Sequence, residues 1–293
     1  MSCGFTIFTK EAGKGVTLRS LLFLHQRLQS SDPRDKVYAS LSMTTDRDVL
    51  GIRPDYSSQS TVKDVYPETI VRIIQHEKTL DVLSGVNLQI RYQDEPLTGW
   101  VADWSVVEVV KPNNVLYGGP FAHRNVRFEA SGKSSAQPSF NADRTDMTVR
   151  GQVIDALITV DTNCGDDQDE FSVTYQLACV ERTVLLVGNL NYNSADRARE
   201  ALILSLIYGS FDNSYVESVI WNDRSLHRVY DTWLFHKSRY GPVHVGEKQS
   251  LVNQFDVRVG WTSGGRPLGV TSNGYICILQ SGMQPGDVIA VLE

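Results

Sequence analysis

Apolar positions first recur at helical spacing at Leu18, Leu21, Leu22 and Leu28, with His25 in the same stripe and Thr17 placed to cap. This predicts a helix that stops near Gln29 to Ser31. In the following SSDPRDKVYASLSM stretch, Asp32 reads as an N-cap and Pro33 as the first helical residue. Asp35 falls at the third helical position, close to a capping-box arrangement, and Val37, Tyr38 and Leu41 share one apolar stripe. A short helix over 33–42 is predicted. After the extended segment Pro54-Asp55-Tyr56-Ser57-Ser58, the strongest periodic signal runs through Val62, Val65, Tyr66, Thr69, Ile70, Ile73 and Ile74. Pro67 inside it removes a backbone donor, so the helix is expected to kink there or to begin near Asp64.

From Leu80 the texture changes to short apolar runs broken by polar turns. Strands are predicted at 80–86, 104–110, 126–130, 147–160, 171–180 and 183–188. Ser194 caps a helix expected from Ala195 to about Tyr208 and ended by Gly209, and a second helix is expected from about Tyr215 through Ser238. The last fifty or so residues read again as strands: VRVGW (257–261), RPLGVT, YICIL and DVIAVL. Tight turns are expected at Ser263 to Gly265, Asn273-Gly274 and Pro285-Gly286. Helices, then strands, then helices, then strands make an α+β chain rather than an alternating β-α-β one. The C-terminal hairpins are expected to form a small antiparallel sheet or partial barrel, with Tyr275 and Val288 to Leu292 on its apolar face. Trp221 and Trp233, on the second helix, are expected as core anchors.

Composition narrows the function classes. The 293 residues carry 28 Lys+Arg against 34 Asp+Glu, a net charge of −6, and 41% hydrophobic residues. This is a globular composition without the positive footprint of a dedicated nucleic-acid or anionic-membrane binder. No run approaches the ~18 apolar residues of a membrane span, and the N-terminus has no secretory signal. Four scattered cysteines (Cys3, Cys164, Cys179, Cys277) do not make a disulfide framework, and a cytoplasmic chain with reduced thiols is expected.

Catalytic and cofactor motifs do not assemble. Cys164 and Cys179 have no histidine near them, and His227, His236 and His244 lack an i, i+4 pair, so no metal site is expected. There is no G-x-S-x-G elbow. Gly13 to Thr17 fails the Walker A spacing, and TSGGRPLG at 262–269 fails G-x-G-x-x-G. Counted from Asp161, the acidic loop has Gly165 at position five, no glycine at six and Ser172 at twelve, where an EF-hand needs an oxygen ligand, a glycine and a glutamate. Asp103, between Trp100 and Trp104, has apolar walls that would raise a carboxyl pKa. The plainer expectation is an Asp bonding backbone amides at a turn while both indoles pack inward, and Asp155 invites the same two readings. No cofactor is expected, and no catalytic residue is assigned.

Six segments, in order, resemble those of fungal heterokaryon-incompatibility (HET) domain proteins. DPRDKVYASLSM with PDYSS and the following helix is similar to that family's DPRDKVYALLGL and PDYS segments. GWVADWS (99–105), VRFEASGKSS (126–135), MTVRGQVIDAL (147–157) and GVTSNGYICILQSGMQPGDVIAVL (269–292) resemble its later elements. The residues carrying the likeness are Asp32, Pro33, Arg34, Asp35, Lys36, Tyr38, Pro54, Asp55, Tyr56, Trp100, Asp103, Trp104, Gly151, Asp155, Gly274, Tyr275, Gly286 and Asp287. The sequence departs at Gly265 to Leu268, where paired aromatics are expected, and at Cys277 to Gln280, where the family has GLGP.

The resemblance implies residues 1–45 as the C-terminal remnant of a HET domain truncated at its N-terminus, and 46–293 as an associated α+β region. That region would hold a helix at 60–78, strands within 80–188, helices within 195–238 and C-terminal hairpins at 255–293. The implied role is a non-catalytic interaction or regulatory part in fungal non-self recognition and programmed cell death, with an unknown protein partner. One rival is a share in a Toll/interleukin-receptor-like NAD-consuming effector, with Asp32, Arg34 or Asp35 in its site. Against it, helix capping accounts for Asp32 and Asp35, and surface pairing for Arg34 with Lys36. The other rival is a decayed paralogue, which would leave the stripe Leu18, Leu21, Leu22 and Leu28 exposed.

Overall fold

The computed structural model describes residues 15–25, 28–86, 97–106, 130–132, 134–161, 181, 192, 194–207, 223–240, 251–262, 266–280 and 282–293. The chain divides into two compact units. One comprises 1–112, 129–152 and 291–293, the other 113–128 and 153–290. Helices and antiparallel strands make a mixed α+β fold that includes a curled half-barrel sheet.

The first unit begins with α1, Leu18–Leu24, capped by Thr17, whose hydroxyl oxygen accepts from Ser20 N–H. The exposed Leu28 lies beyond it, but Leu18, Leu21 and Leu22 are buried, so the stripe expected to lie bare is covered. α2, Asp35–Leu41, and the single turn α3, Arg47–Leu50, lead to α4, Val62–Glu77. α4 starts at Val62, ahead of the expected Asp64, and stays helical through Pro67. The reason is the cap: Thr61 donates both its N–H (2.9 Å) and its hydroxyl (2.7 Å) to Asp64 Oδ2. Leu18, Val37, Leu50, Tyr66, Ile70, Ile73, Ile74 and Trp104 form one buried core. Fully burying a side chain such as Ile70 contributes roughly 1.5–3 kcal/mol.

Residues 80–86, expected as a strand, form a 3₁₀ turn over Asp81–Gly85 that buries Val82. Four apolar residues interrupted by Ser84-Gly85 are too few to set a period, and the local i→i+3 bonds Leu83 N to Leu80 O and Val86 N to Leu83 O prevail. The expected strand at 104–110 starts as a turn at Trp104-Ser105, and its remainder from 107 lies outside the described residues. So do the strands at 171–180 and 183–188, the turn at 263–265, and all of 126–130 except Ala130, which sits in a turn. The run 147–160 divides into β2, Met147–Thr148, paired with β1, Ser139–Phe140, and the long β3, Gly151–Asp161.

The second unit has α5, Ala195–Leu206, capped by Ser194, whose Oγ accepts from Arg197 N–H. It also has α6, Asp223–Tyr240, and α7, Leu251–Thr262. Gly209, Trp221 and the expected helical segment 215–222 lie outside the described residues. α7 overturns the strand expected at VRVGW: the β-branched run is the end of a helix whose buried Phe255 and Val259 repeat at i, i+4. The C-terminal strands therefore start at 268. β4 (Leu268–Thr271), β5 (Ile276–Ile278) and β6 (Val288–Leu292) complete a sheet of order β5-β4-β3-β6. The β3–β4 register shifts between Leu157 and Thr159. Its core face is supplied by Leu157, Leu268 and Val270, whereas Tyr275, Val288 and Leu292, expected there, are exposed. Trp233 and Tyr230 each pack edge to face with Phe255 beneath it, with Trp233 and Phe255 ring centroids 5.4 Å apart.

Candidate functional site

The DPRDK segment is a junction built from one guanidinium. Asp32 Oδ1 accepts from Arg34 N–H at 2.9 Å, which turns the chain into α2 through the i→i+3 bonds of Asp35 and Lys36. The same carboxylate receives Arg34 Nε at 3.0 Å and Nη2 at 2.7 Å, a fork-shaped pair. Arg34 holds the Asp32 carboxyl below its ordinary pKa, while Asp32 raises that of the guanidinium. Nη1 then reaches across to the carbonyls of Ser60 (2.7 Å) and Ser57 (3.1 Å). Arg34 is thus ion-paired with Asp32, and the pairing expected for the two cations differs at Lys36. Lys36 points the other way, is buried, and donates to the Leu28 carbonyl; burial lowers its pKa.

Asp35 closes no capping box. Its carboxylate accepts the Tyr56 hydroxyl, and that bond pushes the Tyr56 pKa up to about 12. Tyr56 also stands edge-on to Tyr38 with centroids 5.2 Å apart, under the Arg34 guanidinium. Tyr38 Oη donates to the Asp55 carbonyl at 3.4 Å. Asp55 itself shapes the loop: its Oδ1 accepts Ser57 N–H at 2.9 Å, the bond that most lowers its pKa. Tyr66 donates to the Pro33 carbonyl at 2.7 Å and, because it is buried, its pKa is raised. Pro54 is exposed at the start of the loop.

These contacts leave a cleft of about 630 Å³ lined by Asp32, Arg34, Tyr56, Ser57, Ser58, Ser60, Thr61, Asp103 and Ser105. Asp103 Oδ1 accepts Ser105 N–H at 3.0 Å and Ser105 Oγ–H at 2.5 Å, which is the turn-bonding role. Trp104 is buried with its ring 4.9 Å from Tyr66, and Trp100 packs on the core beside Phe140. Among the described residues the cleft thus has a hydroxyl-carboxylate pair but no imidazole in its lining, and its guanidinium is spent on Asp32 and the carbonyls of Asp55, Ser57 and Ser60. What its described residues offer is hydrogen bonding.

The remaining motif residues lie in the sheet. Buried Asp155 accepts Asn273 N–H (2.9 Å), Ala156 N–H (2.8 Å) and the Ser272 hydroxyl, and the Ser272 bond leads in holding its pKa well below the usual range. It pins the β4–β5 turn, where Gly274 has φ 88°. Gly286, at φ 98°, donates its N–H to Leu157 O at 2.8 Å, and Asp287 Oδ2 accepts Gln284 N–H at 2.8 Å. Gly151 passes so close to Val291 that a Cβ would stand 2.6 Å from its carbonyl oxygen.

Sequence reasoning missed Ser57, Ser60, Thr61, Tyr66 and Ser105 as lining or anchors. Only Ser57, two residues after Asp55, carries a local signal, that of an Asx-turn. No group of three or more His, Cys, Asp or Glu able to hold a metal occurs among the described residues, nor does a helix long and apolar enough to cross a membrane.

No family model and no solved structure matches the chain. Over 86 residues it is 33% identical to heterokaryon incompatibility protein 6, OR allele, of Neurospora crassa. The matched stretch is 26% of this chain and 12% of that protein, so the chain spans far less than two thirds of this relative. Over that stretch, the chain is similar to a fungal incompatibility protein.

Proposed function

We propose that this chain is a non-catalytic interaction or regulatory part of a fungal heterokaryon-incompatibility protein, acting in the cytoplasm in non-self recognition and the cell death that follows. The similarity to the Neurospora protein supports the family. The observation that carries the non-catalytic reading is the use of Arg34: its donors go to Asp32 and to the Ser57 and Ser60 carbonyls, and Asp35 goes to Tyr56. On this reading the DPRDK and PDYSS residues lock a loop in place, and the loop edges the cleft that meets a protein partner. Residues 1–45 would be the end of the HET domain and 46–293 its associated region.

Two assays test this. The purified chain is incubated with NAD, and the chain is expressed in fungal partners scored for cell death on fusion. The expected result is no NAD turnover, together with a fusion response that Arg34→Ala changes. NAD turnover that Asp32→Ala abolishes would overturn the proposal in favour of an effector enzyme.

A further inference from the structure

Another cleft, of about 440 Å³, lies in the first unit between α2 and the segment that runs from α3 to Pro54. Gly51, at φ 60°, ends α3 in the left-handed region and turns the chain, so that Arg47 on the helix and Arg53 beyond it line the same cleft. Their guanidiniums differ from those of Arg19, Arg34 and Arg72 in being unspent. Arg34 is committed to Asp32 and to carbonyls, Arg72 to Glu68 and the Leu50 carbonyl, and Arg19 to Glu77 and Asp81. Arg53 has no hydrogen-bond or ion-pair partner among the described residues. Arg47 pairs with its chain neighbour Asp48 at 3.4 Å with both side chains exposed, a contact that contributes little.

The neighbouring acids are turned elsewhere. Asp46 is buried and accepts Leu18 N–H with both oxygens, and Asp55 Oδ1 accepts Ser57 N–H. The charged lining, two arginines against Asp48, therefore carries one net positive charge on a chain whose net charge is −6. A planar guanidinium offers a fork of donors that matches a phosphate or carboxylate. Two forks at one cleft match the charge of roughly −1.5 to −2 that a phosphate monoester carries at pH 7. The hydroxyls of Tyr38 and Ser42 are committed to the Asp55 and Ala39 carbonyls, which leaves the anion to the guanidiniums. Leu41, Ile52 and Pro54 add an apolar wall suited to the organic body of a ligand. We propose that this cleft binds an organic phosphate monoester, its phosphate held by Arg47 and Arg53 and its apolar part lying against Ile52 and Pro54. The cleft is independent of the function proposed above.

The test is a titration of the full chain with phenyl phosphate, followed through heat by calorimetry and through the amide resonances of Gly51 to Arg53 by NMR. Controls are benzyl alcohol, which keeps the ring without the charge, phenylacetate, which carries a single negative charge, and inorganic phosphate, which lacks the ring. Phenyl phosphate is expected to shift the Gly51 to Arg53 signals saturably and to bind more tightly than any control. Arg53→Gln should weaken binding about tenfold or more, the loss expected of a hydrogen bond with a charged group. Arg150→Gln, the same change at another exposed arginine, should bind like the parent. Equal loss in Arg150→Gln would mean general attraction to cations and would overturn the site. So would a control that binds as tightly as phenyl phosphate, or no response to phenyl phosphate. Arg53 is exposed, so Arg53→Gln should melt like the parent, and Arg47→Gln supplies a second variant. A phosphotyrosyl peptide separates two sources of the same group: tighter binding than phenyl phosphate supports the site as a reader of a phosphorylated protein segment, and weaker binding supports it as a site for a free phosphate ester.

Discussion

Arg34 Nη1 donates to the carbonyl of Ser60 at 2.7 Å across 26 residues of sequence, so one side chain fixes the distance between the start of α2 and the loop leading into α4. Backbone carbonyls as acceptors make the lock indifferent to the loop's side chains, which remain free to vary at the cleft. The geometry is that of a planar fork, and a point charge does not reproduce it.

Arg34→Ala is accordingly expected to lower the thermal midpoint and to speed amide exchange across 55–60. Arg34→Lys should restore little of either. Hydrogen exchange read residue by residue checks this; unchanged protection at Ser57 to Ser60 would sink the idea.

The core carries larger penalties. Ile70→Ala, at a fully buried position of α4, should cost about 2–5 kcal/mol, measured by urea unfolding. A cost under about 1 kcal/mol would mean that the site collapses around the cavity.

Trp233 donates its indole N–H to Asp256 at 2.7 Å, and Lys237 lies 3.2 Å from the same carboxylate. Trp233→Phe keeps most of the packing and should cost about 1.5–3 kcal/mol, the range for a bond to a charged group, whereas Trp233→Ala should cost about 3–5 kcal/mol. Chemical denaturation of the two variants separates the bond from the ring.

Asp155 sets an acid sensitivity in the sheet. Its pKa is depressed in the folded state, so the stabilisation is complete above the unfolded carboxylate range, near 4, and fades as pH falls below it. Glu77 behaves oppositely: burial raises its pKa, and stability falls as pH climbs from the unfolded value of 4.5 through the raised folded value. Amide exchange of Asn273, whose N–H Asp155 accepts, should quicken at low pH in the parent. In Asp155→Asn it should be fast throughout. Glu77→Gln should flatten the decline above pH 4.5 in a pH series of melts.

Local devices were legible in the chain. Thr17 and Ser194 cap where their spacing predicts, and Gly274 and Gly286 adopt the left-handed turns expected of Asn-Gly and Pro-Gly. α4 was legible because six apolar positions and Thr69 repeat over its turns. α7 was not: Val257 and Val259 alternate like a strand, and the helical face emerges only when Phe255 is counted with Val259. The motif residues were picked out, but not their work. A guanidinium that bonds carbonyls leaves no trace in the identity of the residues it holds, and capping claimed Asp35 only because Tyr56 lay 21 residues away.

The placement of β3 at the middle of its sheet has a consequence for the order of events during synthesis. Asp155 meets Ser272 across 117 residues, whereas Tyr66 reaches Pro33 across 33. Loop closure over the longer span is slower and entropically dearer. The ribosome will therefore have released a helical core over 18–86 long before β3 finds its neighbours. Until residues 268–292 emerge, an eleven-residue strand carrying Val153, Ile154 and Ile158 waits with both edges open, and that interval is when a chaperone has most to protect.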